Sequence, residues 1–233
     1  MFYRIDPYYL MLVLPAIILA MIAQGKVSST FRKYSAFRTS RGITGADAAR
    51  IVLESNGVYG VRIERVSGNL TDHYDPRENV IRLSDSVYNA NSVAAVGVAA
   101  HEAGHAVQYA NGYVPIKIRA AIIPATQLGS SLAVPLIFIG VFFDAFSLIN
   151  IGLAFFFMAV LFQLITLPVE FNASGRALKA IASDAILDEE EIKGAKATLS
   201  AAAMTYVAAL LVSLAQFIRL FLIFGGRGND DRR

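Results

Sequence analysis

Residues 120–167 read AAIIPATQLGSSLAVPLIFIGVFFDAFSLINIGLAFFFMAVLFQLITL, with Asp144 the single charged residue among them. Two apolar runs, 120–143 and 146–167, each have about the 20 residues that a helix needs to cross a hydrocarbon core. The short link at Asp144 makes them a helical hairpin. Two further runs lie outward from it. Residues 8–23 are rich in Leu, Ile and Met. Lacking a basic amino-terminal region and a clear small-residue cleavage site, they read as an anchor rather than a removed signal peptide. Residues 204–224 are the fourth run, with Arg219 near the end, where a long side chain can snorkel to the interface.

Composition agrees. With 55% hydrophobic residues, 17% charged residues and a mean hydropathy of +0.51, the 233-residue chain is too apolar for an ordinary soluble domain. The expected fold class is a mainly α, polytopic membrane protein with about four transmembrane helices and a small α+β cytoplasmic portion. The absence of cysteine removes disulfides and thiolate ligands, so a metal must be held by His, Asp or Glu. A net charge of +3, concentrated beside the membrane, argues against nucleic-acid binding.

Basic residues set the expected orientation. Lys26, Arg32, Lys33, Arg38 and Arg41 follow the first run with no acid among them, Lys117 and Arg119 precede the second, and Arg176 and Lys179 follow the third. All should be cytoplasmic, with the amino terminus and Asp144 outward, in a multi-pass protein of the cell membrane whose site faces the cytoplasm. Arg227, Arg232 and Arg233 fit that scheme poorly, although Asp230 and Asp231 lie among them. The expected division is an anchor at 1–24, a cytoplasmic α+β segment at 25–119, a transmembrane hairpin at 120–168, a cytoplasmic segment at 169–203, and a last helix with tail at 204–233.

Within the first cytoplasmic segment, Thr44-Gly45-Ala46-Asp47 predicts a helix start and Asn56-Gly57 its end. Residues 58–66 and 79–83 alternate as strands, separated by turn-rich Ser67-Gly68-Asn69 and Asp75-Pro76-Arg77-Glu78-Asn79. Asn91-Ser92 then caps a helix of small residues that runs into His101-Glu102-Ala103-Gly104-His105. Residues four apart share a helix face, so both imidazoles can bind one Zn²⁺ while Glu102 sits beside its open position. A five-residue motif of this kind also arises by chance; here it uses two of the chain's three histidines. The acidic cluster at 188–191 reads as a helix amino terminus.

A peptidase zinc needs a third protein ligand and room for water. Two candidates remain: His73, in Thr71-Asp72-His73-Tyr74-Asp75, and Glu170, in Pro168-Val169-Glu170-Phe171-Asn172-Ala173-Ser174. Two spans separate Glu170 from the histidines, so it returns to their side of the membrane. A carboxylate at the end of an apolar helix is costly unless it faces a partner, although a plain interfacial charge near Arg176 is the bland alternative.

The pattern H-E-x-x-H, membrane hairpin, E-F-x-A resembles the membrane gluzincins typified by the HtpX heat-shock protease and the CAAX prenyl proteases. Over nearly the whole chain the sequence is more similar to the YugP-type neutral zinc metallopeptidases, through 70–76 (LTDHYDP), 81–84 (IRLS), 101–108 (HEAGHAVQ) and 169–174 (VEFNAS). The resemblance implies one zinc per chain held by His101, His105 and Glu170, with Glu102 as base. Where the distant relatives continue with aspartate, this chain has Ser174, which can hydrogen-bond a ligand but supplies no charge.

The expected activity is zinc metalloendopeptidase chemistry of the gluzincin type, on peptide or membrane-protein substrates at the bilayer surface. His73, Tyr74, Tyr109 and Arg176 are available to help hold the oxyanion, and His73 is preferred as the second catalytic residue because it lies in the shared 70–76 segment. Asp72 is either a supporting group or a turn residue, and Asp75, before Pro76, a turn residue. An intramembrane protease of the site-2 type fits less well, because the apolar run before His101 is too short to be half a span. The alternative of a different class is a zinc-containing membrane scaffold or latent peptidase, acting as an assembly partner or homo-oligomer. Small-residue runs such as Gly129-Ser130-Ser131 and Ala201-Ala202-Ala203 would suit close packing there, and a regulatory membrane partner is compatible with either reading.

Overall fold

A computed structural model of the chain describes residues 6–225. Arg227, Asp230, Asp231, Arg232 and Arg233, whose charges fitted the orientation scheme poorly, lie outside the described residues. Four helical stretches are long and apolar enough to cross a membrane. The first is a π-helical turn, Tyr9–Val13, continuing into α1 (Leu14–Ser35). After α2 (Gly45–Ser55), β1 (Arg62–Val66), β2 (His73–Asp75), β3 (Val80–Ser84) and α3 (Val93–Ala110) come the other three: α4 (Val114–Phe142), α5 (Phe146–Ser183) and α6 (Glu189–Phe224). These helices outrun the apolar stretches that announced them. Pro168 and Gly175 lie inside α5 without ending it, and the helix runs on for its full 38 residues. The following helix starts where the acidic cluster predicts: Asp188 accepts from the Glu191 amide at 2.8 Å, and the Glu191 carboxylate accepts from the Asp188 amide at 2.9 Å.

The chain divides into two compact units. Among the described residues, one takes in 6–22, then Ile118–Leu167, then 205–225. Here Asp144 makes the predicted tight link between α4 and α5, adopting a left-handed conformation with φ 52°. Ile137, Ile149, Leu153 and Leu220 pack together in this unit. Asp6 meets Arg219, whose Nη2 and Nε lie 2.6 and 2.9 Å from Asp6 Oδ2, and the guanidinium sits 5.3 Å from the Tyr9 ring centroid. The first of the four apolar helical stretches thus begins where the fourth ends.

The other unit comprises Ala23–Lys117 and Pro168–Met204. Thr44 and Asp47 close the predicted capping box of α2, and Asn56 ends that helix before Gly57 at φ 68°. The sheet has three strands in the order β1-β3-β2, with β3 parallel to β1 and antiparallel to β2. Two expectations change. The first strand begins at Arg62 rather than 58, because Gly57 and Gly60 hold left-handed conformations and keep 58–61 irregular. Residues 73–75, without strand signal of their own, form β2 because β3 offers them a free edge. Ile81 and Leu83 of β3 pack into a core with Val52 and Leu53 of α2, Val96, Ala99, Ala100 and Ala103 of α3, and Ala177 and Ile181 of α5.

The Asp6–Arg219 pair is 22–28% exposed, so removing one partner strands the other in poor solvation. Asp6→Asn and Arg219→Leu should each lower stability in detergent by about 1–3 kcal/mol, and the double variant by less than the sum. Additive losses in the thermal melts would show that the ions do not support each other.

Candidate metal centre

Ser92 caps α3 by accepting from the Ala95 amide, and the small residues that follow let this helix sit deep in its unit. Gly104 decides how close α5 comes. A Cβ placed there would lie 2.6 Å from the Ala173 carbonyl oxygen and 3.2 Å from its carbon, so only glycine permits this approach. On the two helices that face each other across this contact are His101 and His105 of α3 and Glu170 of α5. Among the described residues these three form a cluster suited to a metal ion, with one ligand atom from each, all within 4.8 Å of one another.

The polar atoms converge. Glu170 Oε2 is 3.3 Å from His101 Nε2 and 3.6 Å from His105 Nε2, and the carboxylate is buried, with 2% of its side chain exposed. The imidazole rings stand edge to face with centroids 4.7 Å apart. Each ring is held from behind. His101 Nδ1 lies 3.1 Å from Ser174 Oγ, and His105 Nδ1 lies 3.0 Å from Gln108 Oε1. The fully buried Gln108 cannot turn round, because its Nε2 donates to the Val169 carbonyl at 2.8 Å and to Asn172 Oδ1 at 3.0 Å. Its oxygen therefore faces His105 and requires the proton on Nδ1, which leaves the Nε2 lone pair pointing at the cluster. Asn172 Oδ1 in turn accepts from Arg176 Nε at 2.7 Å.

Burial works against charge on His105, but the contact with Glu170, the nearby Glu102 carboxylate and the Gln108 bond outweigh it, and its pKa lies above the usual 6.5. Glu102, one residue past His101, is close enough to act on both His105 and Asp72. Burial pushes Asp72 above the usual carboxylate range, opposed by its bonds to the Ser84 amide and hydroxyl and reinforced by Glu102. Asp72 is thus a half-buried anchor at the start of β2, whereas Asp75 accepts from the Arg77 amide in the predicted turn.

The other proposed oxyanion partners lie elsewhere. Tyr74 pairs with Ile81 in the sheet and stacks on Tyr109 with ring centroids 5.6 Å apart, so that face of β2 meets α3. Strand alternation puts His73 on the opposite face, in register with Arg82, where its Nδ1 donates to the Thr71 carbonyl at 2.8 Å. His73 is exposed and does not join the His101–His105–Glu170 cluster. The Tyr74 hydroxyl is spent on Asn79. Tyr109, two helical steps of four beyond His101, is the named group that shares the histidine face of α3. Gln108, Asn172 and Gly104 were not singled out from sequence. The visible signal for Gln108 was its position three beyond His105, within reach of that ring on a helix.

The donor set fits zinc. Two imidazoles, each held at Nδ1, and one carboxylate, brought together with little exposure, are a combination that ion favours. Comparison with known proteins agrees: a family model described as "Putative neutral zinc metallopeptidase" matches residues 9–225. The chain is also 47% identical, over 217 residues, to the "Putative membrane protease YugP" of Bacillus subtilis (strain 168), covering 93% of this chain and 96% of that protein. No solved structure matches. The chain belongs to the neutral zinc metallopeptidase family that this model describes.

Two outcomes are expected. Gly104→Ala should push α3 from α5, costing about 1–3 kcal/mol of stability, and weaken zinc retention in an equilibrium chelator competition; unchanged retention would contradict the role given to this contact. Since metal binding needs neutral imidazole and the His105 pKa is raised, protons compete nearer neutrality than for a free histidine. Apparent zinc affinity should therefore keep climbing above pH 6.5, by up to about tenfold per pH unit, and level off once His105 is deprotonated. A plateau already at pH 6 would refute the shift.

Proposed function

We propose that this member of the neutral zinc metallopeptidase family is a zinc metalloendopeptidase of the gluzincin type, holding one zinc per chain through His101, His105 and Glu170. The observation that carries this is the buried Glu170 carboxylate lying within 3.6 Å of both Nε2 atoms. Zinc, when bound, supplies a Lewis acid that lowers the pKa of water and polarises a peptide carbonyl. The protein's own groups do the rest. Glu102 takes the proton of the attacking water and passes it to the departing amine, so its carboxylate must be ionised at the start and protonated midway. Gln108 and Ser174 hold the two imidazoles so that neither needs to reorient during turnover. Tyr109 is the better placed oxyanion partner, and His73 keeps a part only if substrate reaches the outer face of β2.

The alternative of a scaffold requires a closed, four-ligand structural site. The three-residue cluster favours the open catalytic kind. Substrates are inferred to be membrane proteins or their juxtamembrane segments, because the residues of the cluster alternate along the chain with segments of spanning length.

Glu102→Gln should abolish hydrolysis of casein and of tethered peptides while zinc stays stoichiometric; His101→Ala and Glu170→Ala should lose both. An active Glu102→Gln would sink the mechanism. The cytoplasmic placement rests on the basic residues flanking the spans and is tested by single cysteines in this cysteine-free chain. Asp144→Cys should react with an impermeant maleimide in intact cells and Ser29→Cys only after permeabilisation; the reverse pattern would invert the topology.

A further inference from the structure

The outer side of α5 borders a polar cavity that the peptidase reading leaves unused. Its volume is about 660 Å³, and it lies between the carboxyl end of α2, at Ser55 and Asn56, and Phe171, Asn172, Arg176 and Lys179 of α5. At 3.6 residues per turn, Asn172, Arg176 and Lys179 stand on the side of the helix opposite Glu170. A peptide held at the metal cluster is therefore not its occupant.

Arg176 is held by one edge and one face. Its Nε donates to Asn172, and its guanidinium carbon lies 5.9 Å from the Tyr113 ring centroid. Its two terminal nitrogens have no protein acceptor among the described residues, and they form the fork that suits a phosphate. Lys179 adds a second cation three residues along. Gly175, just before Arg176 and one turn before Lys179, leaves room: a Cβ there would meet nothing within 4 Å. The acid of the lining, Asp184, sits at the far end, eight residues beyond Arg176. At the near end is Phe171, 50% exposed and four residues past Leu167, where the apolar run of α5 stops. Along one helix the lining thus passes from an apolar ring to paired cations, the order in which an amphiphilic anion presents its chain and its charge.

We propose that this cavity binds an anionic phospholipid through its headgroup phosphate, with Arg176 and Lys179 as charge partners and Phe171 against the glycerol and acyl carbons. The inference is independent of whether the metal cluster hydrolyses peptides.

The test is native mass spectrometry of the full-length protein released from detergent with dioleoyl-phosphatidylglycerol or dioleoyl-phosphatidylcholine. Wild type should retain one phosphatidylglycerol, favoured roughly tenfold over phosphatidylcholine, and Arg176→Gln and Lys179→Gln should each lose most of that preference. Gly175→Leu keeps both charges and improves helix propensity, so it should fill the cavity and lose the lipid without a lower melting temperature. Excess inorganic phosphate should not displace the lipid. Equal retention of the two lipids, retention unchanged in Gly175→Leu, or displacement by inorganic phosphate would overturn the proposal, the last by assigning the site to a free anion.

Discussion

A carboxylate buried at residue 170 constrains everything around it. Glu170 is 1% exposed, and an ionised carboxylate taken out of water costs several kcal/mol unless charge and hydrogen bonds compensate. Compensation needs positive charge between the carboxylate and two imidazoles of another helix, which a cation shared by the three would supply; the imidazoles must then arrive with their nitrogens aimed inward and their proton-bearing edges tied elsewhere. That requirement explains why α3 is built of Ala and Gly, why Gly104 lies against the Ala173 backbone, and why a fully buried glutamine is tolerated in an apolar core. Each feature would be a defect in a structure that had only to be stable.

The layer behind the ligands shows how much of the chemistry is fixed before any metal arrives. Gln108 has its amide oriented by a backbone carbonyl, which can only accept, and passes that orientation to His105 as a tautomer. Ser174 holds His101 through a single hydroxyl, which can donate or accept and so orients the ring without choosing its tautomer. A neutral partner supplies less charge to its imidazole than a carboxylate would. The chain's own compensation is the Glu102 and Glu170 field that raises His105.

The long elements were legible in the sequence because a membrane leaves so few solutions. Runs of apolar residues about 20 long, with one aspartate between the middle two, permit little besides four helices and a hairpin. Local signals with stereochemical force were equally readable, as in the Thr44–Asp47 capping box and the Asp188–Glu191 start of α6. Counting spans permitted the pairing of Glu170 with the histidines, and the family resemblance implied it. What escaped was everything fixed by tertiary contact. β2 exists because β3 has an edge to offer, and which way His73 points depends on Tyr74 packing against Tyr109, which no spacing rule reveals. Gln108 and Asn172 carry no motif of their own; their roles appear only when α3 and α5 lie side by side.

The central claim is that Glu170, His101 and His105 together make an open zinc site, and the metal's own coordination shell tests it most directly. X-ray absorption at the zinc edge on the purified full-length protein should show four light neighbours, of which two scatter as imidazole and the others as carboxylate and water oxygen. Replacing Glu170 with Gln should alter the oxygen shell while the two-imidazole signal persists in whatever zinc remains. A third imidazole, which in this chain can only be His73, or a Glu170→Gln spectrum identical to wild type, would contradict the account.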